Sequence, residues 1–174
     1  MVSTPEQHHL QERAYAARHD YIGVGVGAVI VDDAGRLFLA RRGPQPKNER
    51  GLWEFPGGAV AFDERLADAL RRAIREECGC KIAAGELLDL ADHLPPAERQ
   101  HWVSPSYLCR IVSGTPSIRE PAKCQALAVI AWFAPDELPA ELTEVTRVNL
   151  ASYLYLGNPP DFWVPRVSTR EHSP

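Results

Sequence analysis

Residues 58–80 read GAVAFDERLADALRRAIREECGC, and the clearest signs of the fold lie in this segment. From Glu64 to Cys78 its apolar residues recur at three- and four-residue intervals, which predicts a helix with one buried face. Asp63 is placed to cap the start of that helix. Gly79 is the residue type that ends a helix in the left-handed conformation.

Acidic side chains lie on two neighbouring faces of the predicted helix. Glu77 comes four residues after Ala73 and shares its face, whereas Arg72 and Glu76 belong to an adjacent row. Just before the helix, the FPGG sequence of residues 55–58 predicts a turn whose backbone can approach a ligand closely. Carboxylates beside such a turn are oxygen ligands suited to Mg²⁺ or Mn²⁺. The alternative is an ordinary amphipathic helix with a solvated, charged face.

The length of 174 residues fits one domain with a full hydrophobic core, and the apolar content is typical of a soluble globular protein. No stretch approaches the roughly 20 apolar residues that span a bilayer, and the N-terminus lacks a signal-peptide pattern. The four cysteines form neither a CxxC pair nor a zinc spacing, so we expect reduced thiols in a cytoplasmic protein. The net charge of −4 argues against nucleic acid as a partner, but not against a nucleotide held through a metal.

The chain divides into three predicted parts: a helical appendage at residues 1–20, a domain at 21–157 and a C-terminal tail at 158–174. Within the domain, the patterns predict strands at 21–31, 36–42, 81–92, 100–112 and 127–133, and a final helix at 143–156. Mixed strands with a central and a C-terminal helix indicate an α+β or an α/β sandwich. The final helix places one set of side chains on a single side: Val145, Val148, Ala151 or Ser152, and Tyr155.

The quoted stretch resembles the Nudix box, G-x5-E-x7-R-E-U-x-E-E-x-G-U, in which U is a bulky aliphatic residue. The matching positions are Gly58, Glu64, Arg72, Glu76, Glu77 and Gly79. The segments VGVGAVIV, FLARRG, WEFPGG and AWFAPDELP extend the similarity over residues 23–139. Together they look like MutT-type nucleoside triphosphate diphosphatases, most of all the thiopurine-nucleotide diphosphatase subgroup. The resemblance implies the Nudix α/β/α sandwich with a mixed sheet, dependence on Mg²⁺ or Mn²⁺, and a homodimer.

The resemblance also implies a role for each matching residue. Gly57 would offer its carbonyl to the metal, and Glu76 and Glu77 would be the carboxylate ligands and the catalytic groups. The remaining box residues would be structural, with an ion pair between two of them that fixes the loop against the helix. These structural positions are Gly58, Glu64, Arg72 and Gly79.

Four further residues are candidates for binding substrate. Arg42 matches a basic residue that lies near the phosphates in relatives, although a lone arginine at a strand end is as often simply solvated. Trp53, His101 and Trp132 are candidates for a base pocket, and each of them fits the hydrophobic core equally well.

The sequence departs from the box at Ala73, where relatives have a glutamate that ligates metal or assists the attacking water. Loss of such a group commonly lowers the rate by a factor on the order of 10²–10⁴. Three explanations are open: an acid such as Glu120 or Glu98 reaches in from a loop, the substrate requires fewer metals, or the alanine is an engineered substitution. Asp63, where relatives usually have glycine, is a milder departure.

The leading functional hypothesis is metal-dependent hydrolysis of a canonical, modified or oxidised nucleoside triphosphate to a nucleoside monophosphate and diphosphate. A nucleotide sugar or an ADP-ribose-like dinucleotide is the alternative substrate, because Pro95 follows the box by the interval that such enzymes show. A regulatory module that binds nucleotide without turnover is the hypothesis from another class. Neither nucleic acid nor a membrane is expected as a partner.

Overall fold

The computed structural model describes residues 21–44, 48–94, 100–118 and 127–157. The strands are β1 (Tyr21–Ile30), β2 (Leu37–Arg42), β3 (Trp53–Glu54), β4 (Gly57–Ala59), β5 (Lys81–His93), β6 (Gln100–Ser113) and β7 (Leu127–Phe133). The helices are α1 (Leu66–Cys78) and α2 (Glu144–Tyr155). The predicted N-terminal appendage and C-terminal tail lie outside the described residues.

The strands form two sheets. One has four strands in the order β4-β1-β6-β5, and the other has three in the order β3-β2-β7. Strands β1 and β6 run parallel, whereas the other pairs are antiparallel. A mixed α/β architecture is therefore present, as the sequence predicts, and each of the five predicted strands is found to within one residue at either end.

Helix α1 buries the face that the apolar spacing predicts. The buried residues of this helix are Ala69, Leu70, Ala73, Ile74 and Cys78. Four of them, all except Ala73, belong to a core cluster that also contains Ala28 of β1 and Phe38 of β2. Burial of one Leu or Ile side chain contributes about 1.5–3 kcal/mol, so this face holds the helix in place.

The start of α1 differs from the prediction. The helix begins at Leu66 rather than Glu64, and Asp63 does not cap it, because Asp63 has a φ of 60° and Arg65 occupies the N-cap without a side-chain hydrogen bond. The loop is closed by Glu64 instead, whose Oε2 accepts a hydrogen bond from the Ala61 amide at 3.1 Å. The helix ends as predicted, with Gly79 left-handed at a φ of 68°.

The predicted FPGG turn is wrong in its second half, because Gly57–Ala59 is a strand paired with β1. Gly57 lies opposite Gly27 and Gly58 opposite Val26. A Cβ atom at Gly57 would lie 2.0 Å from the Val26 carbonyl oxygen, far inside van der Waals contact. The two backbones therefore meet at a distance that only glycine permits.

Helix α2 buries a different face from the apolar one. Val148 and Tyr155, on the side that the sequence groups together, are 44% and 91% exposed. Thr146, Asn149 and Tyr153 are buried instead. Thr146 Oγ1 accepts a hydrogen bond from the Phe55 amide at 3.1 Å. Polar contacts of this kind, rather than the apolar side chains, therefore determine which face of the helix packs against the rest of the domain.

The three described cysteines, Cys78, Cys80 and Cys109, are buried free thiols, and Cys124 lies outside the described residues. Burial raises the pKa of Cys78 and of Cys109 to about 12, so both thiols stay protonated and unreactive. No helix in the described segments is long and apolar enough to cross a membrane.

An ion pair joins the loop before α1 to the helix itself. The Arg72 guanidinium donates to both carboxylate oxygens of Glu64, with Nε–Oε1 and Nη2–Oε2 distances of 2.8 Å. Arg72 Nη2 also donates to the Ala59 carbonyl at 3.0 Å, which ties the end of β4 to the helix. Hydrogen bonds from Arg72, and then from Ala61, lower the pKa of Glu64 to about 2.

This pair should stabilise the protein in a pH-dependent way. The folded-state pKa of Glu64 lies below its ordinary value of 4.5, so its contribution is present above pH 4.5 and is lost as the pH falls towards 2. We expect E64Q to lower the melting temperature at pH 7, and the difference from wild type to shrink below pH 4.5. Thermal denaturation between pH 7 and pH 2.5 measures this.

Asp68→Asn is the matched control, because Asp68 pairs with Arg71 on the exposed surface of the same helix. It should change the melting temperature less than E64Q does. Equal effects of the two variants at pH 7 would contradict a special role for the Glu64–Arg72 pair.

Candidate functional site

A glycine-lined slot runs along β1. Every second residue from Gly23 to Gly27 is glycine, and these residues face side chains of the parallel strand β6. A Cβ atom at Gly23 would lie 2.7 Å from the Trp102 ring, and one at Gly27 would lie 2.7 Å from Ser106 Oγ. The Trp102 and Ser106 side chains therefore occupy the space that side chains on β1 would need, and only glycine permits this packing.

This slot belongs to a cavity of about 510 Å³, within the range of small-molecule sites. Charged groups come from β2, β3 and α1, polar and aromatic groups from β5, β6 and α2, and the Gly57–Gly58 backbone from β4. Among the charged, polar and aromatic residues that line the cavity are Arg42, Glu54, Glu77, His93, Trp102, Ser106 and Asn149.

Three glutamates line the cavity, Glu49, Glu54 and Glu77, and the last two come from regular elements. Glu77 belongs to the last turn of α1 and Glu54 to β3. Burial, then the charge of Glu54, then that of Glu76, raises the pKa of Glu77 to about 7. Burial also raises the pKa of Glu54, although Arg42 opposes this effect. The cavity therefore concentrates negative charge that the protein only partly neutralises.

Arg42 lies in the cavity, where its guanidinium holds Glu54. Its Nη1 is 2.5 Å from Glu54 Oε2, and its Nη2 donates to Asn48 Oδ1 at 3.1 Å. These contacts engage both terminal nitrogens of the guanidinium, the groups that the resemblance places near the phosphates of a substrate. In the described structure, Arg42 orients a carboxylate of the site.

The two adjacent glutamates of the box diverge. Glu77 lines the cavity, whereas Glu76 is absent from its lining and has a side chain that is 57% exposed. Glu76 Oε2 lies 3.3 Å from Arg72 Nη1, so it extends the ion pair of the loop. Successive residues of an α-helix are about 100° apart, which explains why only one of the two reaches the slot.

The three predicted base-pocket residues lie elsewhere. Trp53 packs edge-on against Phe133, with ring centroids 5.0 Å apart, and Trp132 packs against Phe38 at 5.1 Å. His101 Nε2 lies 2.9 Å from an Asp92 carboxylate oxygen. None of these three lines the cavity.

Sequence reasoning missed Trp102, His93 and Glu54. Trp102 directly follows His101, and successive residues of a strand point to opposite faces, so an error of one residue selects the wrong face. The alternating glycines of β1 were the available signal, because they mark a face that another strand must border closely. Glu54 had no such signal, since the two-residue strand β3 alone directs it into the cavity.

Ala73, which replaces the glutamate of the box, is 3% exposed and packs against Gly58 of β4. A Cβ atom at Gly58 would lie 2.9 Å from Ala73 Cβ, so little unfilled space remains between them. Glu98 and Glu120, the acids that could substitute for the missing glutamate, lie outside the described residues.

The donor set fits a hard divalent cation only in part. Across the described segments, no group of three or more Asp, Glu, His or Cys side chains is arranged to hold a metal. Glu77 and Glu54 nevertheless place two carboxyls in one cavity, and the raised pKa of each reflects charge or burial that a cation would offset. Such a cation would complete its shell with phosphate and water oxygens.

Comparison with known proteins identifies the family. A model described as the Nudix domain matches residues 22–153. The CTP pyrophosphohydrolase of Escherichia coli (strain K12) is 31% identical over 114 residues, which are 66% of this chain and 78% of that protein. The MutT-like protein of Streptomyces ambofaciens is 28% identical over 131 residues, which are 75% of this chain and 76% of that protein. The chain therefore belongs to the Nudix family.

A solved structure agrees with this assignment. The crystal structure of a MutT Nudix hydrolase from Burkholderia pseudomallei is 39% identical, has a TM-score of 0.69, and covers 76% of this chain and 98% of its own. The Nudix fold expected from the sequence is thus confirmed. Family membership supports a hydrolase that acts on nucleotide-like substrates and depends on a divalent metal.

The raised pKa of Glu77 should make the metal-free protein less stable as pH increases. Its folded-state pKa of about 7 exceeds the ordinary value of 4.5, so stability is highest below pH 4.5 and falls as pH rises through 7. We expect E77Q to increase the free energy of unfolding at pH 8 by about 1–3 kcal/mol, and by much less at pH 4. Denaturant titrations with chelator at both pH values measure this.

Glu86→Gln, a substitution at an exposed position, is the control, and it should leave the free energy of unfolding unchanged at both pH values. A destabilised E77Q protein at pH 8 would contradict the electrostatic description of the cavity.

Proposed function

We propose that this protein hydrolyses a nucleoside triphosphate, canonical, modified or oxidised, to a nucleoside monophosphate and diphosphate, with Mg²⁺ or alternatively Mn²⁺. One observation carries the proposal: Glu77 and Glu54 meet in a nucleotide-sized cavity beside the Gly57–Gly58 backbone. The likeness to a CTP pyrophosphohydrolase and to MutT proteins supports the same reaction class.

Glu77 and the Gly57 carbonyl are the groups that we assign to the metal, with Glu76 as an outer carboxylate. When bound, the cation would neutralise phosphate oxygens and lower the pKa of a coordinated water. Arg72 and Glu64 would keep β4 and α1 at a fixed separation, so that Gly57 and Glu77 face the same ligand. Such fixed geometry accounts for much of the rate in phosphoryl transfer.

We assign to Glu54 the proton-accepting role left open by Ala73. Its carboxylate lies in the same cavity as Glu77 and is oriented by Arg42 through a 2.5 Å contact. Burial raises the pKa of Glu54, which makes it a better base than an exposed glutamate. Arg42 acts here as a positioning residue.

Substitution of these carboxylates should reduce turnover to different extents. We expect E77Q to lower kcat by about 10²–10⁴-fold, because a metal ligand is lost, and E54Q by about 10²-fold with little change in KM. E76Q should have a smaller effect than either, because Glu76 points out of the cavity. Steady-state kinetics with Mg²⁺ measure these values.

Glu86→Gln serves as the surface control, and R42K tests the positioning role. Lysine keeps the charge of Arg42 but not its fork, so R42K should lower kcat and move the acidic limb of the pH profile. An E54Q enzyme with wild-type kcat would remove Glu54 from the mechanism.

The reaction itself is tested with a panel of nucleoside triphosphates, deoxynucleotides, nucleotide sugars and ADP-ribose, with diphosphate and monophosphate release as readouts. We expect diphosphate only from triphosphates, and faster release from A73E if the restored glutamate is accommodated. Absence of release from every triphosphate, with both proteins folded, would overturn the proposal. Hydrolysis of nucleotide sugars or ADP-ribose alone would favour the alternative substrate class.

Ala73 favours one second candidate, a nucleotide-binding module without turnover. In that case nucleotides would raise the melting temperature without being hydrolysed, since a ligand that prefers the folded state adds to its stability. The homodimer and the cytoplasmic location expected from the sequence also belong to this proposal. Light scattering of the purified protein tests the dimer.

A further inference from the structure

Three buried side-chain atoms in the described segments have no hydrogen-bond partner, and all three belong to residues that line the cavity. They are Arg42 Nε, His93 Nδ1 and Asn149 Oδ1. The first two residues already have carboxylate neighbours, because Arg42 pairs with Glu54 through Nη1 and His93 Nδ1 lies 3.1 Å from Glu144 Oε2. Asn149 Oδ1 is thus a neutral acceptor that the fold leaves unsatisfied, and its residue is only 1% exposed.

The orientation of the Asn149 amide is set by its other end. Asn149 Nδ2 donates to Ser106 Oγ at 2.8 Å. Ser106 is fully buried and faces Gly27, so it has little freedom to move. With Nδ2 engaged, Oδ1 is the unpaired end of an amide whose residue lines the cavity. A ligand must therefore bring a hydrogen-bond donor.

We propose that Asn149 is a specificity-determining residue that selects nucleotides whose base carries an exocyclic amino group. This inference rests on the proposed function, because it assumes that a nucleotide occupies the cavity. A neutral oxygen acceptor repels phosphate oxygens, so the phosphates belong with Glu77 and the metal. The Trp102 indole packs over Gly23 and gives the cavity a flat apolar surface on which a planar ring can stack.

The discrimination follows from hydrogen-bond chemistry. An amino group donates to Asn149 Oδ1 and satisfies it, whereas a carbonyl at the same ring position sets two acceptors against each other. Sites built to bond a polar group strongly reject the analogue without it, because the buried partner stays unpaired. We expect kcat/KM for an amino-bearing base to exceed that of its carbonyl counterpart by at least about tenfold.

Two matched pairs of substrates test this directly, because CTP differs from UTP, and ATP from ITP, by amino against carbonyl at one ring position. We expect the amino partner to be preferred in the pair that the wild-type enzyme uses better. Binding of CMP against UMP, and of AMP against IMP, by calorimetry gives the same comparison without turnover. A failure of hydrolysis therefore leaves the base preference measurable.

Variants separate a specific contact from a structural role. Asn149→Asp keeps an acceptor and should retain the preference, whereas N149L removes it and should bring the ratio close to one. V148A, at an exposed position of the same helix, is the control and should retain the wild-type ratio. If N149L does not fold, the wild-type ratio and N149D still decide the question.

Several results would overturn the inference. Equal kcat/KM values for the two nucleotides of a pair, or a preference for UTP over CTP, would show that Asn149 Oδ1 does not distinguish an amino group from a carbonyl on the base. Equal rates for CTP and UTP with strong discrimination between CTP and dCTP would assign Asn149 to the sugar instead. Retention of the wild-type ratio by folded N149L would also exclude this residue.

Discussion

The close approach of β4 to β1 is the constraint on which the rest of the site depends. No side chain fits at Gly57, because its Cβ would lie 2.0 Å from the Val26 carbonyl oxygen. Backbone hydrogen bonds can therefore fix the loop directly against the sheet, and the Ala28 amide donates to the Pro56 carbonyl at 2.8 Å. The same glycine-rich surface of β1 makes space for the Trp102 and Ser106 side chains of β6, which line the cavity. A bulkier residue at any of these positions would separate the strands or fill the slot.

Electrostatics in the cavity work against the stability of the ligand-free fold. Glu54 and Glu77 lie in one partly buried space together with Glu49, and Arg42 pairs with Glu54. The raised pKa of Glu77 is the thermodynamic sign of this unfavourable arrangement. A protein selected for stability alone would place apolar or neutral groups here. The arrangement is understandable if a cation and phosphates complete it, because functional sites commonly retain such perturbed groups.

Regular elements were predictable from sequence, and the polar details of the site were not. Periodicity located α1 and five strands because it reports burial of a face, and burial dominates the energy of these elements. Helix α2 shows where that logic fails: Thr146 and Asn149 are buried because they bond to Phe55 and Ser106 across the chain. Such partners are distant in sequence, so no local pattern contains them. Motif spacing gave Glu77, but only the fold brought Glu54, Trp102 and Asn149 beside it.

Ala73 is easier to understand once its surroundings are known. The residue is almost fully buried and fills the contact between α1 and Gly58 of β4, so it contributes to packing rather than to chemistry. A carboxylate at that position would require either hydration or a cation close to the loop. Glu54 enters the cavity from another element and has its own arginine partner. The charge of the site can therefore be supplied from β3 while the helix keeps a small, apolar contact with β4.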